Sequence, residues 1–172
     1  MYAVISSDGF IADQKGNYSD WTSKHDKSYL SESIAKYPLH IMGSRTYDVV
    51  LPKPRANTLI IVMTKHPRKY AELSVTGKLE FCSLSPKQIC TKYSTYVKAA
   101  LLGGSAIYSL FLQEDLVNAA YITRENSVTL KTGIPLLSNA ISFVHDLSAT
   151  MKKQSIIALS RTTDLVQYSR IT

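Results

Sequence analysis

The stretch Leu101-Leu102-Gly103-Gly104-Ser105-Ala106-Ile107-Tyr108 runs from an apolar strand through a glycine pair into a helix. Residues 97–102 (Val-Lys-Ala-Ala-Leu-Leu) form the apolar run of a buried strand. Ile107, Leu110 and Phe111 then fall at helical spacing over Ser105 to Leu112. Adjacent glycines let the backbone approach a ligand closely, and the helix start behind them offers unpaired N–H groups at the positive end of a dipole. The stretch therefore predicts a seat for a phosphate. An ordinary strand-to-helix turn uses the same glycines, so a second signal is needed.

That signal lies about sixty residues earlier. Leu39-His40-Ile41-Met42 reads as a short strand, and Gly43-Ser44-Arg45-Thr46 leads into a helix through Tyr47, Val49 and Val50. Here Ser44 and Thr46 offer hydroxyls and Arg45 a fixed cation. Two such seats predict one long ligand with two phosphorylated ends or a pyrophosphate, as in a dinucleotide.

Outward from these units, strands and helices alternate through the first two thirds of the chain. Tyr2 to Ser6 reads as a strand, and a loop rich in Asp, Gly, Asn and Ser runs to about Thr22. Ser23, followed three residues later by Asp26, opens a helix over roughly 24–36 that stops before Pro38. Pro52-Lys53-Pro54 is a rigid connector, and Leu59–Met63 a continuous buried strand. A strand near Leu79–Cys82 and a helix opened by Ser85-Pro86 precede the glycine pair. Beyond it, Ala119–Thr123, Ile141–Leu147, Ser155–Ser160 and Leu165–Arg170 read as strands with little helix between them, which predicts antiparallel pairing. The sum over residues 1–172 is one α/β domain. Its central sheet is mixed and mainly parallel, flanked by helices, with an antiparallel C-terminal edge.

Composition bounds the function. The 172 residues are 45% hydrophobic, enough for one good core, and show no compositional break between domains. Lys and Arg number 20 against 13 acids, a net charge of +7, which suits an anionic ligand. The basic residues are scattered without aromatic interleaving, so nucleic acid is not expected as a partner. Cys82 and Cys90 lack metal-ligand neighbours, and the four histidines stand alone, so neither a metal site nor a disulfide framework is expected. No apolar run reaches the length of a membrane span, and the reading is of a soluble, cytoplasmic protein, monomer or homodimer.

A proton-moving group beside a cofactor seat would be Asp26, near the start of its helix and five residues after the only tryptophan, Trp21. An aspartate in that place also serves as a helix-start residue and nothing more.

The order and spacing of these segments resemble the dihydrofolate reductase superfamily, which includes dihydrofolate reductase proper and the reductase domain of riboflavin biosynthesis. Ile-Met-Gly-Ser-Arg-Thr-Tyr (41–47) is similar to that family's strand-to-helix phosphate motif. Leu-Gly-Gly-Ser-Ala-Ile-Tyr (102–108) resembles its Gly-Gly-x-x-x-Tyr motif, and Tyr121-Ile122-Thr123 the strand that follows. Ser7-Asp8-Gly9-Phe10-Ile11-Ala12 resembles the first loop of the riboflavin-type members. The match covers nearly the whole chain in order.

The resemblance implies NADPH as hydride donor. Gly43, Ser44, Arg45 and Thr46 would hold phosphates on one side. Leu102, Gly103, Gly104, Ser105, Ala106, Ile107 and Tyr108 would serve the pyrophosphate and nicotinamide side, with a cis peptide between the glycines. Met63, Thr64 and Lys65 end the buried strand where the family discriminates the adenosine 2′-phosphate, and Lys65 favours NADPH over NADH. Ala3, Ile11 and Ala12 would lie against the nicotinamide. Asp26 and Thr123 match the family's carboxylate and its hydrogen-bonding threonine, and Val4, Trp21, Leu30 and Arg55 match substrate contacts, Arg55 gripping a folate tail carboxylate; Lys27 takes a further substrate-facing position. The implied activity is reduction of dihydrofolate or a related pterin.

Three departures point to an alternative. Asp20-Trp21 replaces the usual Pro-Trp, Lys27 stands where an apolar residue is usual, and Thr129–Leu137 resembles the Gly-x-Pro-Leu stretch of riboflavin-type members. The alternative is a riboflavin-pathway reductase of a phosphoribosylaminopyrimidine. A third reading is a nucleotide-binding member that kept the fold without the chemistry.

Overall fold

The computed structural model describes residues 1–18, 20–53, 55–138, 147 and 151–171. Along the chain, β1 (Tyr2–Ser6) and β2 (Phe10–Ala12) precede α1 (Lys24–Ile34), β3 (Leu39–Gly43), α2 (Ser44–Val50) and β4 (Leu59–Met63). A 3-10 segment (Pro67–Leu73), β5 (Leu79–Cys82), α3 (Pro86–Lys92), β6 (Ala99–Leu101), α4 (Ser105–Gln113) and β7 (Ala119–Glu125) follow. The last described elements are β8 (Ile134–Pro135), β9 (Met151–Ala158) and β10 (Thr163–Arg170).

Every residue of β3 and β4 is buried, which demands cover on both faces and a neighbour at each edge. They pair in parallel, with β5 outside β4 and β6 outside β3, in the order β5-β4-β3-β6. Alternation then sorts the side chains. Ile41 and Ile61 face a core that holds Ile89 of α3 and Ile107 and Phe111 of α4. Met42, Ile60 and Val62 face Tyr47 of α2 and Tyr70 of the 3-10 segment. Helices thus cover both faces of this sheet.

A second sheet runs β1-β7-β10-β9, with β1 parallel to β7, and β10 antiparallel to both β7 and β9. β2 and β8 form a short antiparallel ribbon. The mixed α/β architecture, with parallel pairs inside and an antiparallel C-terminal edge, is the predicted one; its described pairing divides into two four-stranded sheets. No helix among the described residues is long and apolar enough to cross a membrane.

Local chemistry sets most boundaries. Ser23 caps α1, its hydroxyl accepting the Asp26 N–H at 3.2 Å, and Ser85 opens α3 in a capping box with Gln88. α1 ends at Ile34, two residues short of the predicted end, because Pro38 disfavours helix at the residue before it. β9 starts four residues before its predicted strand: Lys152, Lys153 and Gln154 are exposed on an edge strand, where polar side chains hide the strand pattern. β2 and β8 are too short to show a period. The strand predicted over Ile141–Leu147 lies outside the described residues apart from Leu147, which is buried; Pro54 of the connector also lies outside them.

Candidate functional site

Because β4, β3 and β6 are parallel and paired Gly43 to Met63 and Ile41 to Leu101, the segments leaving their carboxyl ends gather at one edge. These are Ser44-Arg45-Thr46, Thr64-Lys65 and Leu102-Gly103-Gly104-Ser105, around the kind of crevice where open α/β sheets bind ligands. The two glycine motifs are tied directly: Gly43 N–H donates to Gly103 O at 2.6 Å and Leu102 N–H to Ile41 O at 2.8 Å. Gly103 has φ +107°, and the Gly103–Gly104 peptide is cis, as the resemblance implies. A Cβ on Gly43 would stand 2.9 Å from Ile107 Cγ1, and one on Gly104 3.2 Å from Thr46 Oγ1. The glycines therefore let α4 and the two motifs pack together. α4 has no side-chain cap at Gly104, and the buried Ser105 hydroxyl in its first turn has no hydrogen-bond partner among the described residues. Its free donors face the edge where Arg45 and Lys65 are both exposed.

Beside this edge lies a cavity of about 410 Å³. Its walls come from Ala3 and Val4 of β1, Ile11 of β2, Asp26, Lys27 and Leu30 of α1, Thr46 of α2, Leu102 and Gly104, Tyr108 of α4 and Thr123 of β7. Asp26 is 4% exposed. Burial pushes its carboxyl up to about 6; a hydrogen bond from the Thr123 hydroxyl opposes this, the nearby Glu125 carboxylate adds to it and Lys27 counters it. The result is a carboxyl that gains and loses its proton near pH 6, within an apolar pocket. The Tyr108 phenol is kept neutral by burial, its hydroxyl donating to Tyr2 O.

Other residues singled out in the sequence lie off this wall. Gly43, Ser44, Arg45, Met63, Thr64, Lys65, Gly103, Ser105, Ala106 and Ile107 belong to the strand-end edge or the packing beneath it. Ala12 is buried in the β2–β8 pairing. The Trp21 indole N–H is bound to Asn17 O at 3.3 Å, and its neighbour Thr22 lines the cavity instead. Arg55 lines an adjoining space of about 260 Å³ with Lys53, Thr58 and His40. The two spaces share Ile34, Met42, Val50 and Leu102 as walls. Burial lowers the His40 pKa, and its Nε2 lies 2.9 Å from Ile34 O, so the cations there are Lys53 and Arg55.

The sequence reading missed a tyrosine wall. Tyr2, Tyr18, Tyr29 and Tyr121 line the main cavity; Tyr2 stacks on Tyr121 with ring centres 4.9 Å apart and donates its hydroxyl to that of Tyr37 at 3.1 Å. Tyr2 and Tyr121 are partners in the β1–β7 register, which no local pattern reveals. Ile34 was accessible, since Asp26, Leu30 and Ile34 repeat every four residues along one helix face.

No protein-family model and no curated protein matches the sequence. Solved structures place the fold: the chain has the dihydrofolate reductase fold. A diaminohydroxyphosphoribosylaminopyrimidine deaminase/5-amino-6-(5-phosphoribosylamino)uracil reductase from Thermotoga maritima superposes with a TM-score of 0.77 at 17% identity, covering 99% of this chain and 55% of that one. This chain thus spans about half the length of that protein. A pyrimidine reductase-like protein from Corynebacterium diphtheriae gives 0.73 at 14% identity over 99% and 90% of the two chains. Dihydrofolate reductase from Enterococcus faecalis, complexed with NADP(H) and RAB-propyl, gives 0.70 at 16% identity over 98% and 94%.

Proposed function

We propose that this protein is an NADPH-dependent reductase that transfers hydride to dihydrofolate or a related pterin. The observation that carries the reading is Asp26: a buried carboxyl with its pKa raised to about 6, bonded by Thr123, in a cavity that Leu102 and Gly104 of the glycine edge also line. The orphaned Ser105 hydroxyl, the uncapped start of α4 and the exposed Arg45 and Lys65 suit a phosphorylated dinucleotide. Bound NADPH would supply the hydride.

The chain's own residues do the rest. Ser44, Arg45 and Thr46, with Gly104, Ser105 and Ala106, hold the phosphates, and Thr64 and Lys65 receive the 2′-phosphate. Ala3 and Ile11 line the cavity where the nicotinamide end would lie, with Ala12 behind them in the β2–β8 ribbon. Reduction of a C=N bond places hydride on carbon and a proton on nitrogen; Asp26 holds that proton and Thr123 orients its carboxyl. Val4 and Leu30 give the ring an apolar slot that excludes water, and Arg55 and Lys53 meet an anionic tail in the adjoining space. The activity belongs in a reducing cytoplasm, consistent with the free thiols Cys82 and Cys90.

A second reading rests on Lys27, a cation on the cavity wall beside Asp26. It suits a phosphoribosylaminopyrimidine, whose ribosyl group would be reduced. NADPH oxidation with each substrate in turn separates the two. Turnover of dihydrofolate alone is the expected result. Turnover of the pyrimidine alone, abolished in Lys27→Ala, would replace the first reading with the second.

A further inference from the structure

Behind Asp26, away from the cavity wall, sits a second buried carboxylate. Glu125, 2% exposed, ends β7 two residues after Thr123, so both side chains fall on the same face of that strand. Its Oε1 accepts the backbone N–H of Ser23 at 2.8 Å, and its Oε2 accepts the hydroxyl of Thr163 at 2.9 Å. Thr163 is fully buried and stands opposite Glu125 in the β7–β10 register. The hydroxyls of Ser23 and Thr163 lie 3.3 Å apart, and the Ser23 hydroxyl accepts the Asp26 N–H at 3.2 Å.

Each hydroxyl has one proton, which fixes the direction of the chain. Thr163 gives its proton to Glu125, so Ser23 gives its own to Thr163 and accepts from Asp26. Both Glu125 oxygens are acceptors, as in an ionised carboxylate. Three elements meet in this closed ring: the end of β7, the start of β10 and the cap of α1. It reaches Asp26 through that residue's backbone N–H.

We propose that Glu125 is a positioning residue for Asp26, anchoring the first turn of α1 through Ser23 and Thr163 and holding a fixed negative charge behind the proton-carrying carboxyl. The sequence reading singled out neither Glu125 nor Thr163. The groups that face Asp26 are Lys27 on its own helix, Thr123 and Glu125 on β7 and Tyr108 on α4. Of these, Glu125 disfavours the ionised carboxyl, Lys27 favours it, and Tyr108 is a neutral phenol. The two carboxyls thus divide their roles: Glu125 is held by Ser23 and Thr163, and Asp26 faces the cavity.

The proposal rests on Asp26 as the proton carrier, and its test is independent of turnover. Side-chain carboxyl NMR of the whole protein follows the Asp26 titration, with the resonance assigned by its loss in Asp26→Asn. Glu125→Gln keeps the shape and the acceptor for Ser23 while removing the charge. It should lower the Asp26 midpoint by at least about half a pH unit. An unchanged or raised midpoint overturns the proposal. Should Glu125→Gln fail to fold, Thr163→Val carries the test through amide exchange. Opening the ring should speed exchange of the Asp26 N–H by about tenfold or more, and unchanged exchange overturns the proposal. A protein that oxidises no NADPH would remove the proposed function and leave the titration result standing.

Discussion

The two ends of the cavity are built differently. The strand-end edge is made of backbone: two glycine motifs joined by the Gly43 N–H to Gly103 O bond, an uncapped helix start and a short turn after β4. The Asp26 end is made of side chains that the fold collects from β1, α1 and β7, with Tyr2 and Tyr121 stacked across a strand pair. Backbone recognition depends on the path of the chain, so few side chains can be exchanged without disturbing packing. Side-chain recognition is adjustable one residue at a time. Substitutions at the first end should therefore act on cofactor affinity, and substitutions at the second on rate, pH dependence and substrate choice.

The largest effect should come from Asp26→Asn, which keeps shape and removes the proton carrier. Dihydrofolate turnover should fall by about 10²–10⁴-fold while NADPH affinity, measured by fluorescence titration, stays within about twofold. Loss of NADPH binding in this variant would erase the distinction between the two ends.

The same substitution should change stability in a pH-dependent way. The Asp26 carboxyl titrates near 6 in the fold, above its ordinary range. The folded state therefore binds the proton more tightly than the unfolded chain. The stability this confers is complete below about pH 4 and is lost as pH rises through about 6, a swing of about 3 kcal/mol for a shift of about two units. Denaturant titration should find Asp26→Asn more stable than wild type by up to that amount near pH 8 relative to its position near pH 4. Equal differences at both values would place the carboxyl in water.

Smaller effects belong to the cations. Lys65→Ala should narrow the preference for NADPH over NADH by about tenfold, roughly 1.4 kcal/mol, without altering dihydrofolate turnover at saturation. Equal affinity of the wild type for both cofactors would remove Lys65 from the site. Arg55→Leu should raise the Michaelis constant several-fold with kcat nearly unchanged, because a tail contact is made alike in ground and transition states. A drop in kcat alone would move Arg55 from binding to chemistry.

The contrast also explains what the sequence could show. Gly43 and Gly103-Gly104 carry their meaning locally, as glycine after strand and before helix, so the strand-end edge was legible, as were the α1 cap and the buried run of β4. Tyr2, Tyr121 and Glu125 acquire theirs only through register: Tyr2 against Tyr121, and Glu125 against Thr163. Those pairings join residues far apart in the chain, and no local period encodes them. Trp21 is the converse case. A residue conspicuous for its type is turned toward Asn17, and the plain Thr22 beside it reaches the cavity.

If Asp26 protonates a substrate reduced by a nicotinamide held at the strand ends, its titration should govern turnover. The most direct measurement is steady-state NADPH oxidation with dihydrofolate from about pH 5 to about pH 8, wild type beside Asp26→Asn. The wild-type rate should fall as pH rises through about 6, where Asp26 loses its proton, and the variant should show no such limb. A wild-type rate flat across that range, or Asp26→Asn as fast as wild type, would contradict it.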